Sequence, residues 1–476
     1  MSEKRGSFSG KLGFVMAAAG SAVGLGNIWR FPYLAAEHGG GIFLLVYLIL
    51  VLTFGYALMK AEIALGRKTG LSVIGAFKKL DQRWSFLGLL AALVPVLILP
   101  YYSVIGGWVC KYFFTFVSGG MPQTAEMAMV MTNDGLKETP VFFSNFTADP
   151  IEPLGWFLLF IGLTALVVLF GVDKGVEKVS KIMMPILIVL ALSIAVYSLF
   201  LPGAMDGLAY YLIPDFSQFS ATTVLAAMGQ MFYSMSLAMG IMITYGSYMK
   251  KDVNLESSVK QIEMFDTGIA FMAGIMVILP IFSFGNLETI SPGPGLMFNA
   301  LPLVFNNMGV AGHFIGALFF LLVLFAALTS SISLMETVVS IFMDKFGWGR
   351  KLTCAVVFVI SLVLGVPSSL GNGVWKDFTI LGMDFLTFFD FMTNSVMMPL
   401  VALLTCVFIG FIIKPESIIE EARIGQNGKV GAFGRFRQET MFRAMIKYIA
   451  PVCIVLILLF SVMDAFNLLQ YVGLSV

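Results

Sequence analysis

Apolar stretches long enough to cross a lipid bilayer recur along the whole of this 476-residue chain. A spanning helix needs about 20 predominantly apolar residues. Hydrophobic residues make up 58% of the chain and charged residues 12%, a composition that soluble domains do not have. We therefore predict an all-α polytopic membrane protein. About eleven transmembrane helices are expected, near residues 12–36, 41–66, 86–117, 154–171, 178–200, 221–249, 258–283, 312–343, 352–369, 379–413 and 444–470.

The distribution of Lys and Arg predicts the orientation of the chain. Most of the 29 basic residues lie at the amino terminus or in the even-numbered connections, whereas the opposite connections hold only Lys137 and Lys376. Basic residues accumulate in cytoplasmic loops. We therefore expect a multi-pass protein of the cell (plasma) membrane with a cytoplasmic amino terminus.

The remaining composition argues against several function classes. The net charge of +1 does not indicate binding of nucleic acid. The four cysteines fall in or near spans and predict no disulfide framework, and the two histidines are too few for a transition-metal cluster. No nucleophile stands beside a base, so we do not expect an enzyme.

Two of the predicted spans contain segments that weaken a helix. Span one carries the charged Arg30 and reads Gly-Ser-Ala-Val-Gly-Leu-Gly-Asn over 20–27, and span six has its weak segment at 229–240. Glycine also allows close helix packing, so either segment alone fits a packing role. Lipid cannot satisfy free backbone groups, so a break persists only where it lines a protein cavity. The matching positions favour two broken helices.

Spans one and six are the first members of two sets of five spans. Because five is odd, the second set crosses the membrane in the opposite direction to the first, which is the inverted-repeat pattern of secondary transporters. We expect a first repeat in residues 1–200 and a second in residues 201–413. A cytoplasmic loop and an eleventh helix fill residues 414–476.

Asp266 lies inside predicted span seven without a basic neighbour in sequence. A carboxylate at the centre of a bilayer costs about 2.5–3.5 kcal/mol on insertion scales. A helix-end Asp paired with a neighbour is the alternative to a cation ligand, and we favour the ligand. Glu336 and Asp384 also lie in or near spans, without an evident partner or role.

A second set of oxygen ligands is predicted in span eight. Ala326, Thr329 and Ser330 share one helix face by their i, i+3 and i+4 spacing. Hydroxyls in membrane helices commonly bond back to their own helix. Together with free carbonyls of Gly20 and Val23 in the broken span one, however, they would form an all-oxygen cage. Such a cage suits a hard monovalent cation such as sodium.

Tyr233, Ser236 and Met239 recur every three residues in span six and can face one cavity. An aromatic and Met stripe is ordinarily core, but this one flanks the predicted break. An apolar side chain could be enclosed there while exposed backbone groups bind its charged end. Ile98, Tyr102 and Leu334 complete the expected lining.

Several motifs together resemble the neurotransmitter:sodium symporter family, in particular its bacterial amino acid transporters with the leucine transporter fold. The likeness extends over almost the whole chain, and its first motif is long and specific. The motifs are Gly-Ser-Ala-Val-Gly-Leu-Gly-Asn-Ile-Trp-Arg-Phe-Pro at 20–32, three glycines at 39–41, Glu62 with Gly66 and Arg67, Gly229 with Gln230, Thr-Tyr-Gly-Ser-Tyr at 244–248 and Leu-Thr-Ser-Ser at 328–331.

The resemblance implies two sodium sites, a substrate pocket and two gates. The first sodium site would use the carbonyls of Ala22 and Ser234, the side chain of Asn27, and Asp266. The second would use the carbonyls of Gly20, Val23 and Ala326 and the hydroxyls of Thr329 and Ser330. The implied pocket is Ala22, Gly24, Gly26, Ile98, Tyr102, Tyr233, Ser236, Met239, Ser330 and Leu334. The implied outer gate is Arg30, Gln230 and Asp390, with Tyr233 near them, and the inner gate is Arg5, Tyr248 and Asp344.

Two departures from the family pattern are informative. The first sodium site commonly has Asn where Asp266 stands, and animal members bind chloride beside it. A carboxylate supplies that negative charge directly, and Ala270 offers chloride no hydroxyl, so we expect transport independent of chloride. Monoamine-transporting relatives carry Asp where this chain has Gly24. The substrate should therefore bring its own carboxylate.

We thus expect sodium-coupled symport of a hydrophobic or aromatic L-amino acid into the cell by alternating access, with sodium ions, an amino acid and the lipid bilayer as partners. The residues do not distinguish leucine, tryptophan, tyrosine and methionine as substrates. Another small zwitterion, such as an osmolyte or a non-α amino acid, is the alternative. An ion channel is a weaker one, because the polar residues cluster at one depth instead of forming a continuous path.

Overall fold

The computed structural model describes residues 6–120, 127–132, 135–284, 294–425, 432–466 and 468. Within these ranges, nine helices are long and apolar enough to cross a membrane, and a helix pair bent by 54° forms a tenth span. An eleventh span is split into Ala221–Ser234 and Ile241–Ser247. The first of these helices packs on Gly41–Leu50 and the second on Tyr56–Thr69. Both ranges belong to the span Gly41–Thr69, so the two halves together run alongside that span across the membrane. The predicted all-α fold with about eleven spans is confirmed.

The spans are numbered in chain order from one to eleven. They are Lys11–Ala22 with Gly26–Glu37, Gly41–Thr69, Gln82–Val117, Glu152–Leu169, Val172–Ser198, Ala221–Ser234 with Ile241–Ser247, Leu255–Phe284, Val310–Phe346, Arg350–Leu370, Phe385–Ile412 and Gln438–Met463.

Shorter elements occupy the connections. The strands β1, Met127–Thr132, and β2, Gly135–Pro140, form an antiparallel hairpin between spans three and four. The shorter helices are Val73–Leu80, Phe142–Ala148, Ala204–Leu212, Leu301–Asn307, Pro415–Arg423 and Ala432–Ala444, the last of which runs into span eleven.

Both predicted helix breaks are present. Span one leaves helical geometry after Ala22 and resumes at Gly26, and span six is interrupted after Ser234. Residues 229–234 remain helical, so the second break is shorter than the weak segment in the sequence. Ser236 and Ala238 have φ angles of 53° and 61° within it. Left-handed backbone costs a residue with a side chain about 1–2 kcal/mol, so the surrounding structure must hold this break open.

Burial separates central spans from peripheral ones. Spans three and eight are 72% and 67% buried within the protein, whereas spans four and eleven are 33% and 28% buried. Span one packs against spans five, seven and eight. The outer spans expose leucines such as Leu158 and Leu456, each 50% exposed, as expected for helices that contact lipid. Both breaks therefore lie inside a shell of helices.

Span two and the second half of span six approach each other through two glycines. A Cβ added at Gly66 would lie 1.8 Å from the carbonyl oxygen of Ile243, and one added at Gly246 would lie 2.3 Å from that of Ile63. Real Cβ atoms do not come this close to backbone. Only glycine permits this contact, which fixes the second half of span six, Ile241–Ser247, against span two.

We predict that Gly66→Ala destabilises the purified protein, because the added methyl must push span six away. Overpacking of this kind costs about 1–3 kcal/mol, so thermal unfolding should occur at a lower temperature. Gly162→Ala in span four is the matched control, because nothing lies within 4 Å of its added Cβ. Equal melting temperatures for the two variants would contradict this account of the contact.

Candidate functional site

A small cavity of about 30 Å³ lies between the two breaks. Every residue that lines it is buried except Tyr233, which is half-buried. The cavity has room for only a few water molecules, so a substrate side chain would have to displace flexible groups such as Met239. Its lining includes all ten residues of the expected pocket: Ala22, Gly24, Gly26, Ile98, Tyr102, Tyr233, Ser236, Met239, Ser330 and Leu334. Ser21, Leu25, Asn27, Ser234 and Ile241 complete it.

Asp266 is fully buried beside this cavity. Its Oδ1 accepts a hydrogen bond of 2.7 Å from the Asn27 side chain, and its Oδ2 lies 3.3 Å from the Ser234 hydroxyl. The phenol of Tyr47 lies 3.4 Å from the same Oδ2. All three partners are neutral, and within the described part of the chain no Lys or Arg nitrogen lies within 4.0 Å of Asp266. The negative charge therefore has no countercharge in direct contact.

The second set of predicted ligands also meets at the broken end of span one. The Ser330 hydroxyl lies 3.3 Å from the carbonyl oxygen of Val23. A Cβ added at Gly20 would lie 3.2 Å from the Cβ of Thr329. The Thr329 hydroxyl donates back to its own helix, where the carbonyl oxygens of Phe325 and Ala326 lie 3.0 and 3.1 Å away. The lone pairs of the Thr329 oxygen remain available to a cation. All the atoms that would ligate a cation here are oxygens, which hard cations prefer.

Two glycines let aromatic and hydroxyl groups reach the backbone of span one. A Cβ on Gly24 would lie 2.6 Å from the Ser330 hydroxyl and 3.2 Å from that of Tyr102. A Cβ on Gly26 would lie 2.5 Å from the ring of Tyr233. An acidic side chain at position 24 therefore does not fit the present arrangement, and the cavity wall on this side is made of backbone.

Side chains from other spans bond the backbone freed by the breaks. Gln230 donates to the Gly26 carbonyl at 2.9 Å, and Glu62 accepts from the Ala238 amide at 2.7 Å. The second bond holds the left-handed segment of span six. Glu62, which the sequence analysis identified only as part of a motif, thus holds the backbone of the break in position.

The expected outer gate lies above Tyr233. The guanidinium carbon of Arg30 is 5.3 Å from the centre of the Tyr233 ring, and Asp390 interacts with Arg30 electrostatically. Both residues are described, and none of their charged atoms lie within 4.0 Å of each other. Asp390 instead accepts a 2.6 Å hydrogen bond from Asn394. The gate residues are therefore close together without a direct ion pair.

Beside Tyr248 of the expected inner gate lies a charge pair that the sequence did not reveal. The Tyr248 hydroxyl donates to Glu336 at 2.8 Å, and Arg350 forms two hydrogen bonds with the same carboxylate, at 2.6 and 3.0 Å. Asp344 accepts from the Ser72 amide at 2.8 Å. Arg5, the remaining member of the expected inner gate, lies outside the described residues.

Phe8 packs beside Tyr248, which belongs to the expected inner gate. Its ring is 1% exposed and packs edge-on against Tyr245 and Tyr248, with centroids 5.6 and 6.1 Å away. The next residue, Ser9, bonds through its amide to Glu177 at the start of span five, at 2.8 Å. The amino-terminal segment is thus held against Tyr245 and Tyr248 by aromatic packing and against span five by the Glu177 carboxylate.

The chain matches the model of the sodium:neurotransmitter symporter family over residues 5–140 and 150–473. It is 35% identical to YhdH, an uncharacterized sodium-dependent transporter of Bacillus subtilis (strain 168), over 95% of this chain and 96% of that protein. The chain belongs to this family. It is 29% identical to the sodium- and chloride-dependent taurine transporter of Rattus norvegicus, over 78% of this chain and 67% of that one. The crystal structure of MhsT in complex with L-phenylalanine matches with a TM-score of 0.83 and 38% identity, covering 96% of this chain and all of MhsT.

As a member of the sodium:neurotransmitter symporter family, this protein is a sodium-dependent symporter that crosses the membrane many times. The predicted family is therefore confirmed.

Several residues of the site could not be recognised in the sequence. Tyr47, which contacts Asp266, is one of many aromatic residues in the spans, and only its polar tip in mid-membrane hints at a role. Ser21 lies 2.7 Å from Ser333 through their hydroxyls, across spans one and eight. Asp384 accepts from the amides of residues 386 and 387 at the start of span ten. The sequence analysis placed the start of span ten at 379, so Asp384 was not recognised as the N-cap of a helix that begins at residue 385.

Proposed function

We propose that this symporter carries a hydrophobic or aromatic L-amino acid into the cell with sodium, independently of chloride. The main support is the contact of Asn27 and Ser234 with Asp266 beside a cavity walled by backbone from both breaks. A cation between these groups would neutralise Asp266. The cation would also keep a coordination position open for the carboxylate of a substrate.

The cavity chemistry supports an α-amino acid. Gly24 offers no carboxylate to a substrate amine, and free backbone groups of spans one and six suit a zwitterion. Ile98, Met239 and Leu334 provide an apolar wall, and Met adapts its shape to different side chains. The bound L-phenylalanine of MhsT agrees with such a substrate.

We propose two sodium sites. The first comprises Ala22, Asn27, Ser234 and Asp266, and the second Gly20, Val23, Ala326, Thr329 and Ser330. Each sodium ion that enters with the substrate contributes about 2.3 kcal/mol per 100 mV of membrane potential. That energy corresponds to roughly 50-fold accumulation per ion.

Alternating access follows from the two closures around the cavity. Binding from outside brings Arg30 and Asp390 together above Tyr233, and release requires Phe8 and the Glu336–Arg350 pair to move away below. The five-span repeats at residues 1–200 and 201–413 would move relative to each other. We also propose that the amino terminus lies in the cytoplasm.

Uptake by the purified protein in proteoliposomes tests the proposal. An inward sodium gradient should accumulate radiolabelled phenylalanine, and replacing sodium by potassium should lower uptake at least about tenfold. Replacing chloride by gluconate should change nothing. Leucine and tryptophan should compete, whereas taurine, betaine and γ-aminobutyrate should not. Competition by the last three alone would instead favour the alternative of another zwitterion, and currents far above carrier rates would favour a channel.

Asp266→Asn should abolish uptake or make it dependent on chloride, because the substitution removes the charge that balances sodium. Asp206→Asn, at an exposed position of the helix Ala204–Leu212, is the matched control and should transport normally. Chloride-independent uptake by Asp266→Asn at the wild-type rate would refute the charge argument.

A further inference from the structure

A chain of hydrogen bonds connects Asp390 of the expected outer gate to span three. The Thr393 hydroxyl donates back to its own helix, where the carbonyl oxygens of Phe389 and Asp390 lie 2.8 and 3.3 Å away. The phenol of Tyr101, which is 1% exposed in span three, lies 3.2 Å from the Thr393 hydroxyl. The side-chain nitrogen of Asn394 lies 3.3 Å from the same phenol and 2.6 Å from Oδ1 of Asp390. Asn394 thus bridges the gate carboxylate and span three.

The protons in this chain of bonds run in one direction. Because the Thr393 hydroxyl proton is used within its own helix, the Tyr101 phenol donates to Thr393. Tyr101 then has only lone pairs to offer Asn394, so the amide presents its NH₂ group to the phenol. The same NH₂ group donates to the Asp390 carboxylate. The orientation of the Asn394 amide is therefore determined by its surroundings.

The bond from Asn394 competes with the pairing of Asp390 and Arg30. Asn394 follows Asp390 by one helical turn, so it holds the carboxylate along span ten. The Arg30 guanidinium packs on Tyr233 instead, with its carbon 5.3 Å from the ring centre. Oδ1 of Asn394 is buried without a hydrogen-bond partner in the part of the chain that the structure describes. An unpaired buried oxygen offsets part of the gain from the bond, so Asp390 can exchange Asn394 for Arg30 at a small net cost.

We propose, on the basis of the alternating access proposed above, that Asn394 is a positioning residue that opposes closure of the outer gate. It holds Asp390 toward Tyr101 while the gate is open. Closure requires Asp390 to leave the amide and to pair with Arg30. The strength of one hydrogen bond thereby sets the ratio of closed to open gates. It also sets the affinity for substrate, because apparent affinity scales with the population of the binding form.

Double electron–electron resonance on the full-length protein in nanodiscs tests this role in sodium without any substrate. Spin labels are attached at Glu37→Cys and Lys376→Cys, two exposed positions at the end of span one and in the connection before span ten. Cys453, which is partly exposed, is replaced by Ser in all samples. Asn394→Ala should raise the ratio of closed to open distances about tenfold, the factor for loss of a hydrogen bond to a charged group.

Two comparisons show whether Asn394 acts through the gate carboxylate. Asn372→Ala is the matched control, because Asn372 is also half-buried and its amide bonds to the Ser368 carbonyl, at 3.1 Å. It should leave the ratio unchanged. In an Asp390→Asn background, which lacks the charge, Asn394→Ala should change the ratio no further.

Tyr101→Phe covers the case in which Asn394→Ala does not fold. It keeps the ring and removes one neutral hydrogen bond to Asn394, so the closed-to-open ratio should rise about threefold. An unchanged ratio or a shift toward the open form in these two variants would overturn the proposal. An equal effect of Asn394→Ala with and without the Asp390 charge would also overturn it. Phenylalanine should dissociate about tenfold more slowly from Asn394→Ala in sodium; a wild type that shows the gate response without binding phenylalanine would contradict the proposed substrate and support the role of Asn394.

Discussion

The structure depends on satisfying backbone polar groups where two helices unwind in the middle of an apolar layer. Lipid offers these groups no hydrogen bonds, so other spans must supply them. Gln230 bonds the Gly26 carbonyl, Asn27 bonds the Gly24 amide, and Glu62 bonds an amide in span six. The breaks are therefore part of the packing, and backbone left over from these bonds is available to a ligand.

In the function that we propose, Asp266 makes this cavity the site where sodium and substrate are coupled. It is fully buried, and its direct partners are the neutral groups of Asn27, Ser234 and Tyr47. A buried charge without a countercharge is unfavourable, so binding a cation is favoured there. Because a substrate carboxylate would bind the same cation, sodium and substrate each raise the affinity for the other. In our account, this shared contact couples the gradient to transport.

The sequence was sufficient to predict the spans, the two breaks and the family, because hydropathy, glycine content and the motif at 20–32 are local signals. Contacts between distant segments were not predictable in this way. Tyr47 and Glu62 bond to residues that lie 187 and 176 positions further along the chain, and nothing near them in the sequence marks these partners. Glu336 lacked an evident partner in sequence, although Arg350 lies 14 residues on, because the distance between them depends on how spans eight and nine turn.

Isothermal titration of the purified protein with phenylalanine, in sodium and in potassium, tests the central claim most directly. We predict at least about tenfold tighter binding in sodium, and an equal increase in sodium affinity when phenylalanine is present, because coupling is reciprocal. Phenylalanine affinity that is the same in both salts would contradict the claim that sodium and the amino acid share a site at Asp266.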